Sequence, residues 1–312
     1  MQIYHPVALA LVFQVSFLFP ASAADKSALM KEGDRAYTQG QTQKSLEYYQ
    51  KAVSVDPKDY ASYQTLGVTY AEAGQWDRAI DSLQKALALN PTRAEIHINL
   101  SLVYAGKEDF DRAKTFAQKA VNLNPKKASA YQALGGAYEG LGDTEHAIAA
   151  YNKGLSVGPV NADLYLALGN LYSRKQQFKE AIQVYQKAIT ADPKSVYAYS
   201  NIAYIYEEKK DLAKALEYFK KATEAAPQDE VAWYDLGMAY SKQNQLDKAI
   251  ESYQKSFSIN PKYYKACLGL ALAYERNRDL TKAAEFYSKA LTLTDDPKIK
   301  EAILRVITST ST

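Results

Sequence analysis

Histidine, cysteine, clustered glycine and regularly spaced lysine are the residues through which this chain could do chemistry. The histidines are His5, His97 and His146, and the single cysteine is Cys267. A zinc centre needs three or four nitrogen, sulfur or carboxylate ligands at short spacings, and no cysteine cluster or paired-histidine spacing supplies them. One cysteine also excludes an intramolecular disulfide, so packing must hold the fold even in an oxidising compartment. Gly135, Gly136, Gly140 and Gly142 superficially suggest a phosphate-binding loop. Such a loop follows a strand and is completed by Lys-Ser or Lys-Thr, and both signals are missing. No catalytic, cofactor-binding or metal-binding residue is therefore assigned, and no cofactor is expected. With 38 basic against 35 acidic residues, a formal charge of +3, the chain lacks the electrostatic footprint of a nucleic-acid binder.

Lysine is the most regular of these residues. Lys51, Lys85, Lys119, Lys153, Lys187, Lys221, Lys255 and Lys289 recur every 34 residues. Such a ladder could draw an acidic partner. Five of the eight have an acid four residues earlier, at Glu47, Asp81, Glu217, Glu251 and Glu285. That spacing supports a helix by about 0.2 to 0.5 kcal/mol per pair, so the ladder reads as helix stabilisation.

The lysine period belongs to the whole chain. Pro57, Pro91, Pro125, Pro159, Pro193, Pro227 and Pro261 are each 34 residues after the last. They divide the sequence into eight units, 26–59, 60–93, 94–127, 128–161, 162–195, 196–229, 230–263 and 264–297. The eighth place of the units holds Gly33, Gly67, Ser101, Gly135, Gly169, Ala203, Gly237 and Ala271, and the twentieth holds Ser45 followed by alanine in every later unit. Large residues stand between, with Tyr70, Tyr104, Tyr138, Tyr172, Tyr206, Tyr240 and Tyr274 at the eleventh place. Small against large is how helices interlock. Apolar residues three and four apart mark two amphipathic helices per unit, joined by a polar turn such as Gln41-Thr42 or Lys209-Lys210. The second helix ends before its proline, which forces the preceding residue out of helical geometry.

These residues resemble the tetratricopeptide repeat family, whose pattern is an aromatic, Leu-Gly, Tyr, Ala, aromatic, Ala and Pro at fixed places. The fifth unit shows it in Tyr165, Leu168, Gly169, Tyr172, Ala181, Tyr185, Ala188 and Pro193. The resemblance implies an all-α fold, a right-handed superhelical solenoid of eight hairpins that binds partner proteins and carries no catalysis. It also implies a partner groove lined by the first helix of each hairpin. From the sixth unit onward the outward places of that helix hold Tyr197, Tyr204, Tyr234, Met238, Leu268 and Leu272, suited to an extended peptide or an amphipathic helix. Earlier units offer the mixed set Asp34, Gln64, Ile98, Leu102, Gln132 and Asn170. Some family members clamp a terminal carboxylate with two asparagines and several basic residues. Asn170 and Asn201 stand at suitable places, but Leu166, Val231 and Asp235 replace the basic ones, so that clamp is not expected here.

Both ends depart from the pattern. The first unit has Glu32 for leucine and Ser45 for alanine, as suits an end face exposed to water. Residues 298–307 place Ile299, Ile303, Val306 and Ile307 on one stripe, predicting a capping helix, with 308–312 as irregular tail. Ahead of the array, Val7 to Phe19 form an apolar run of 13 residues followed by Pro20 and the small-x-small pattern Ala21, Ser22, Ala23. This predicts a signal peptide over 1–23, cleaved near Ala23, and a periplasmic or secreted protein. The missing Lys or Arg in Met1 to Pro6 departs from the usual signal. No segment reaches the run of about 20 apolar residues that spans a bilayer. The functional expectation is a cell-envelope or secreted adaptor that binds a protein or peptide. An accessory, substrate-positioning subunit of an envelope enzyme complex and a self-associating scaffold are the other readings.

Overall fold

The computed structural model describes residues 21–310. The apolar run from Val7 to Phe19 lies outside the described residues. Every regular element among the described residues is a helix. In order they are α1 (Ala21–Thr38), α2 (Thr42–Val55), α3 (Tyr60–Glu72), α4 (Trp76–Leu89), α5 (Ala94–Gly106), α6 (Phe110–Leu123), α7 (Ala128–Gly140) and α8 (Thr144–Val157). They continue as α9 (Ala162–Arg174), α10 (Phe178–Ala191), α11 (Val196–Glu208), α12 (Leu212–Ala225), α13 (Glu230–Lys242), α14 (Leu246–Ile259), α15 (Tyr264–Arg276), α16 (Leu280–Leu293) and α17 (Pro297–Thr310). The chain divides into two compact units, one ending at Asp143 and the other beginning at Thr144, so the division falls inside the fourth hairpin.

Each helix ends for a local reason. The first helix of every hairpin stops in a left-handed residue: Gly40, Gly74, Glu108, Gly142, Gln176, Lys210, Asn244 and Arg278 have φ between 58° and 74°. The amide that follows then bonds back to the tyrosine or alanine carbonyl five residues earlier, as Gln177 N–H does to Tyr172 O at 2.9 Å and Asp279 N–H to Tyr274 O at 2.9 Å. This closes the helix in a Schellman motif. The turn after α1 is thus Gln39 to Gln41, and Thr42, read from sequence as a turn residue, already belongs to α2. Asp109, Asp211 and Asp279 then cap the second helix by accepting from the amides of Arg112, Lys214 and Lys282. At the far end, the residue before the proline takes ψ between 75° and 95° in six hairpins. Asp56, Asn124, Asp192 and Asn260 there accept on their side chains from the amide two residues on, and Asn90 accepts from the Thr92 hydroxyl.

The core lies where small residues meet large ones. In the compact unit ending at Asp143, Ala79, Leu83, Ala86, Ile96, Leu100 and Ala113 are fully buried, and in the one beginning at Thr144, Phe219, Ala249, Leu270 and Ala290 are. The glycine at the eighth place is a socket for the large side chain at the twenty-fourth, Leu83 opposite Gly67 and an aromatic ring in three other hairpins. A Cβ on Gly33 would stand 2.4 Å from Tyr49, on Gly169 2.5 Å from Tyr185 and on Gly237 2.6 Å from Tyr253. Where alanine replaces the glycine, at Ala203 and Ala271, the residue is likewise fully buried. Gly135 and Gly136, the centre of the phosphate-loop pattern, lie within α7, and Gly140 ends it with Phe110 only 2.1 Å from where its Cβ would be. Gly140 thus serves packing and Gly142 the left-handed turn.

The aromatic residues at the fourth place have a polar tip for a reason. His97 Nε2 meets Pro91 O at 3.0 Å, Tyr131 OH donates to Pro125 O at 3.1 Å and Trp233 Nε1 donates to Pro227 O at 3.0 Å. Each ties a first helix to the proline turn before it. Cys267 takes the same place in the last hairpin and is fully buried, with burial pushing its thiol up and away from reactivity. The lysine ladder is only partly an acid–lysine ladder: Lys221 pairs with Glu217 at 2.5 Å and Lys289 with Glu285 at 2.6 Å. Lys51, Lys85 and Lys119 instead lie over the rings of Tyr48, Tyr63 and Phe116.

At the end of the second unit, Ile303 is buried and Ile299 and Ile307 pack beside it against the core of the last two hairpins. Val306 lies outside the described side chains. The helix runs to Thr310, so the segment read as irregular from 308 is helical for three further residues. Neither glycine nor proline interrupts Ile307 to Thr310, and the ladder of backbone bonds simply continues.

Candidate functional site

In the second unit, α11, α13 and α15 are the first helices of three successive hairpins. α11 and α15 each pack on α13. Residues three, four and seven apart share one side of a helix, and this places Tyr197, Tyr204, Tyr234, Met238, Leu268 and Leu272 on the outward side of the three. The structure separates them into two kinds. Tyr197 and Leu272 are 45% and 41% exposed, whereas Tyr204, Tyr234, Met238 and Leu268 are half-buried against the core of the unit.

The half-buried pair of tyrosines is held in place by rings. Tyr204 meets Phe219 edge-on with centroids 5.2 Å apart. Tyr234 is tilted on Tyr253 at 5.7 Å and meets Tyr263 edge-on at 5.6 Å. Each such contact contributes about 0.5 to 1.5 kcal/mol beyond the area it buries. They fix the floor of the face. Tyr204 and Tyr234 are accordingly unsuited to charge substitution as a probe of binding, because a glutamate there would unpack the core.

On α13, the middle helix of the three, an acid stands where a carboxylate clamp would have a basic residue. Asp235, on α13, is only 4% exposed. Its Oδ2 accepts from Ser200 Oγ at 2.7 Å and its Oδ1 from Tyr204 OH at 2.8 Å, both donors lying on α11. Burial pushes its carboxyl up to about 6, against the opposing pull of the two hydroxyls and of Lys265 on α15, while Asp229 adds to the rise. Its signal in the sequence was its type: the sixth place of the other units holds Lys31, Thr65, Asn99, Ala133, Ala167, Asn201 and Gly269. An acid stands there once. What the sequence could not show is that the helix beside it carries two hydroxyls aimed at it.

The surroundings of the face are acidic. Tyr197 is raised above the ordinary phenol range by burial first, and then by the negative charges of Asp229, Glu230 and Asp235. Burial and the neighbouring Asp235 push Tyr234 up to about 12. Glu207 at the end of α11 pairs with Lys242 at 2.5 Å. The asparagines that a carboxylate clamp would use are engaged with each other: Asn170 Oδ1 accepts from Asn201 Nδ2 at 3.0 Å and from Tyr185 OH at 2.6 Å.

The first unit offers an open cleft of about 580 Å³ lined by Gln50, Tyr63, Tyr70, Arg78, Asp81 and Lys85 among others. Its cations already lie on its rings, Arg78 over Tyr70 at 5.8 Å and Lys85 over Tyr63 at 5.6 Å. On the first-helix side of this unit Asp34 accepts from Tyr49 OH at 2.7 Å. Groups of three or more His, Cys, Asp or Glu able to hold a metal are absent among the described residues, and no described helix is long and apolar enough to cross a membrane.

Tandem two-helix hairpins with a small-residue seam define a solenoid repeat protein of the interaction-scaffold class. Comparison with known families agrees. Tetratricopeptide repeat profiles match residues 133–196, 166–230, 231–263 and 266–301, and the profile of the cilia and flagella-associated protein 70 middle TPR-like domain matches 34–153. The chain belongs to the tetratricopeptide repeat family. No enzyme family is among the matches, and a comparison with curated proteins gives no match. Among solved structures, it is similar to the APC/C hetero-tetramer Cut9-Hcn1, with 16% identity, a TM-score of 0.54 and coverage of 92% of this chain. It spans 56% of that protein's length. It is also similar to Pseudomonas aeruginosa PilF, with 20% identity, a TM-score of 0.54 and coverage of 68% of this chain and 96% of the other. Both likenesses concern the fold.

Proposed function

We infer that this chain is a non-catalytic interaction scaffold whose α11–α13–α15 face receives a peptide or helix of a partner protein. One observation carries this reading: exposed Tyr197 and Leu272 flank half-buried, ring-locked aromatics on three consecutive first helices. Rigid amphipathic side chains of this kind anchor partners with little loss of conformational freedom. The run from Val7 to Phe19 with Ala21-Ser22-Ala23 behind it supports an exported adaptor of the cell envelope or the extracellular space.

The test is a random twelve-residue peptide library panned on the full chain. Enriched peptides should bind the Tyr197→Glu, Leu272→Glu double variant at least tenfold more weakly, by fluorescence anisotropy, with helicity and melting temperature unchanged. Peptides that bind both proteins equally would dispose of this face as the site. Amino-terminal sequencing of protein recovered outside the cytoplasm should begin at Ala24 if the exported reading is right.

A further inference from the structure

We propose that the α11–α13–α15 face recognises a cationic side chain, a lysine or arginine of the partner segment, which pairs with the Asp235 carboxylate while its apolar neighbours lie on Tyr197 and Leu272. The proposal rests on the reading of this face as the partner site and names the chemistry of its occupant.

Three features of the site point to a cation. The first is the state of Asp235 itself. Burying a carboxylate costs several kcal/mol unless its lone pairs are met, and a carboxylate offers about four acceptor positions. Ser200 and Tyr204 each donate one hydrogen bond, one to each oxygen, at 2.7 and 2.8 Å. These hydroxyls hold the carboxylate in a fixed orientation and use two of its acceptor positions, one on each oxygen. Neutral donors also cannot compensate its charge as an ammonium or guanidinium does.

The second feature is the sign of the surroundings. The charged and titratable groups that act on Asp235 come from each element around it: Tyr204 on α11, Asp229 at the start of α13 and Lys265 on α15. Tyr197, the exposed ring beside them, is acted on by Asp229, Glu230 and Asp235, all negative. Asp229, Glu230 and Asp235 against Lys265 leave the face acidic, and Glu207 at its rim is already balanced by Lys242. An acidic peptide would be repelled, and a wholly apolar one would add nothing to the single opposing charge of Lys265.

The third is the company of aromatic rings. A cation is attracted to a ring face by about 0.5 to 2 kcal/mol according to its exposure, and the methylene stem of lysine or arginine covers apolar surface. Tyr197 provides an exposed ring, with Tyr204 and Tyr234 below it. The equivalent place in the fifth and sixth hairpins holds Ala167 and Asn201, so this combination of carboxylate and rings is local to the seventh.

The test uses peptides from the same twelve-residue library, panned on the full chain at pH 7.5. They should carry a lysine or arginine at a common place. Replacing it by glutamine should weaken binding to the wild type at least tenfold, but less than twofold to Asp235→Asn. The wild type's preference for the basic peptide over its glutamine counterpart should also shrink between pH 7.5 and pH 5, as Asp235 takes up its proton. That pH comparison needs no variant, and it decides the matter should Asp235→Asn fail to fold by circular dichroism. Peptides that depend on Tyr197 and Leu272 yet show no basic residue, or a glutamine penalty equal in both proteins, would overturn the cationic occupant and leave the partner face standing. If no enriched peptide depends on Tyr197 and Leu272, the face and its occupant fall together.

Discussion

At the residue scale, the buried carboxylate has a measurable consequence for stability. Burial raises Asp235 from 3.8 to about 6, so across that window the folded chain still holds a proton that the unfolded chain has released. Stability therefore falls as pH rises from about 4 to about 6 and stays level above it. Asparagine imitates the protonated form. Asp235→Asn should be more stable than the wild type at pH 7.5 by about 3 kcal/mol, and at pH 4.5 by only about 1 kcal/mol, in urea melts at the two pH values. An equal difference at both would show that Asp235 is not titrating. The glycine sockets and left-handed turns act in opposite directions. Gly169→Ala would drive a Cβ to 2.5 Å from the Tyr185 ring, and should cost about 1 to 3 kcal/mol by overpacking. Gln176→Gly, at a φ of 58°, removes a strained side chain and should raise stability by about 0.5 to 1 kcal/mol. Thermal denaturation of the two variants checks both.

At the element scale, α17 shows what the end of a repeat array requires. Within a compact unit successive hairpins bury their sides against one another, and beyond the eighth hairpin Ile299, Ile303 and Ile307 of α17 pack on that core. Deleting the chain from Lys298 should lower the melting temperature and promote aggregation, seen by light scattering; a monomeric truncation of equal stability would count against the cap. Gradual helical stability elsewhere follows glycine content. The fourth hairpin holds Gly135, Gly136, Gly140, Gly142, Gly154 and Gly158, six of the 14 glycines of the chain, and each one within a helix costs about 1 kcal/mol relative to alanine. Amide hydrogen exchange should be faster in α8, which contains Gly154, than in α10, which contains none. Equal protection would mean that packing offsets the glycines.

At the scale of the whole molecule, the architecture was readable from one sequence because it is written in short-range terms. A period of 34 residues, small residues at the eighth and twentieth places and a proline at each boundary act through neighbours within a hairpin, and the helices α3, α5, α7, α9, α11, α13 and α15 begin at the residues where that period begins. Stability in such an array is a sum of similar hairpins and their interfaces, so urea unfolding should be broader than that of a globular domain of equal length, with a correspondingly small m-value. The candidate site was only half legible. The sequence by itself determined the outward places of α11, α13 and α15, since helical spacing alone settles which residues share a side. It did not reveal that Tyr204 and Tyr234 are locked into the floor, that Tyr197 and Leu272 stand free of it, or that Asp235 is buried. Those outcomes depend on partners far along the chain: Ser200 and Tyr204 reach Asp235 from 35 and 31 residues away. Local pattern decides which side of a helix faces out, but burial and charge are properties of what the next hairpin places against it, and only the tertiary structure supplies that neighbour.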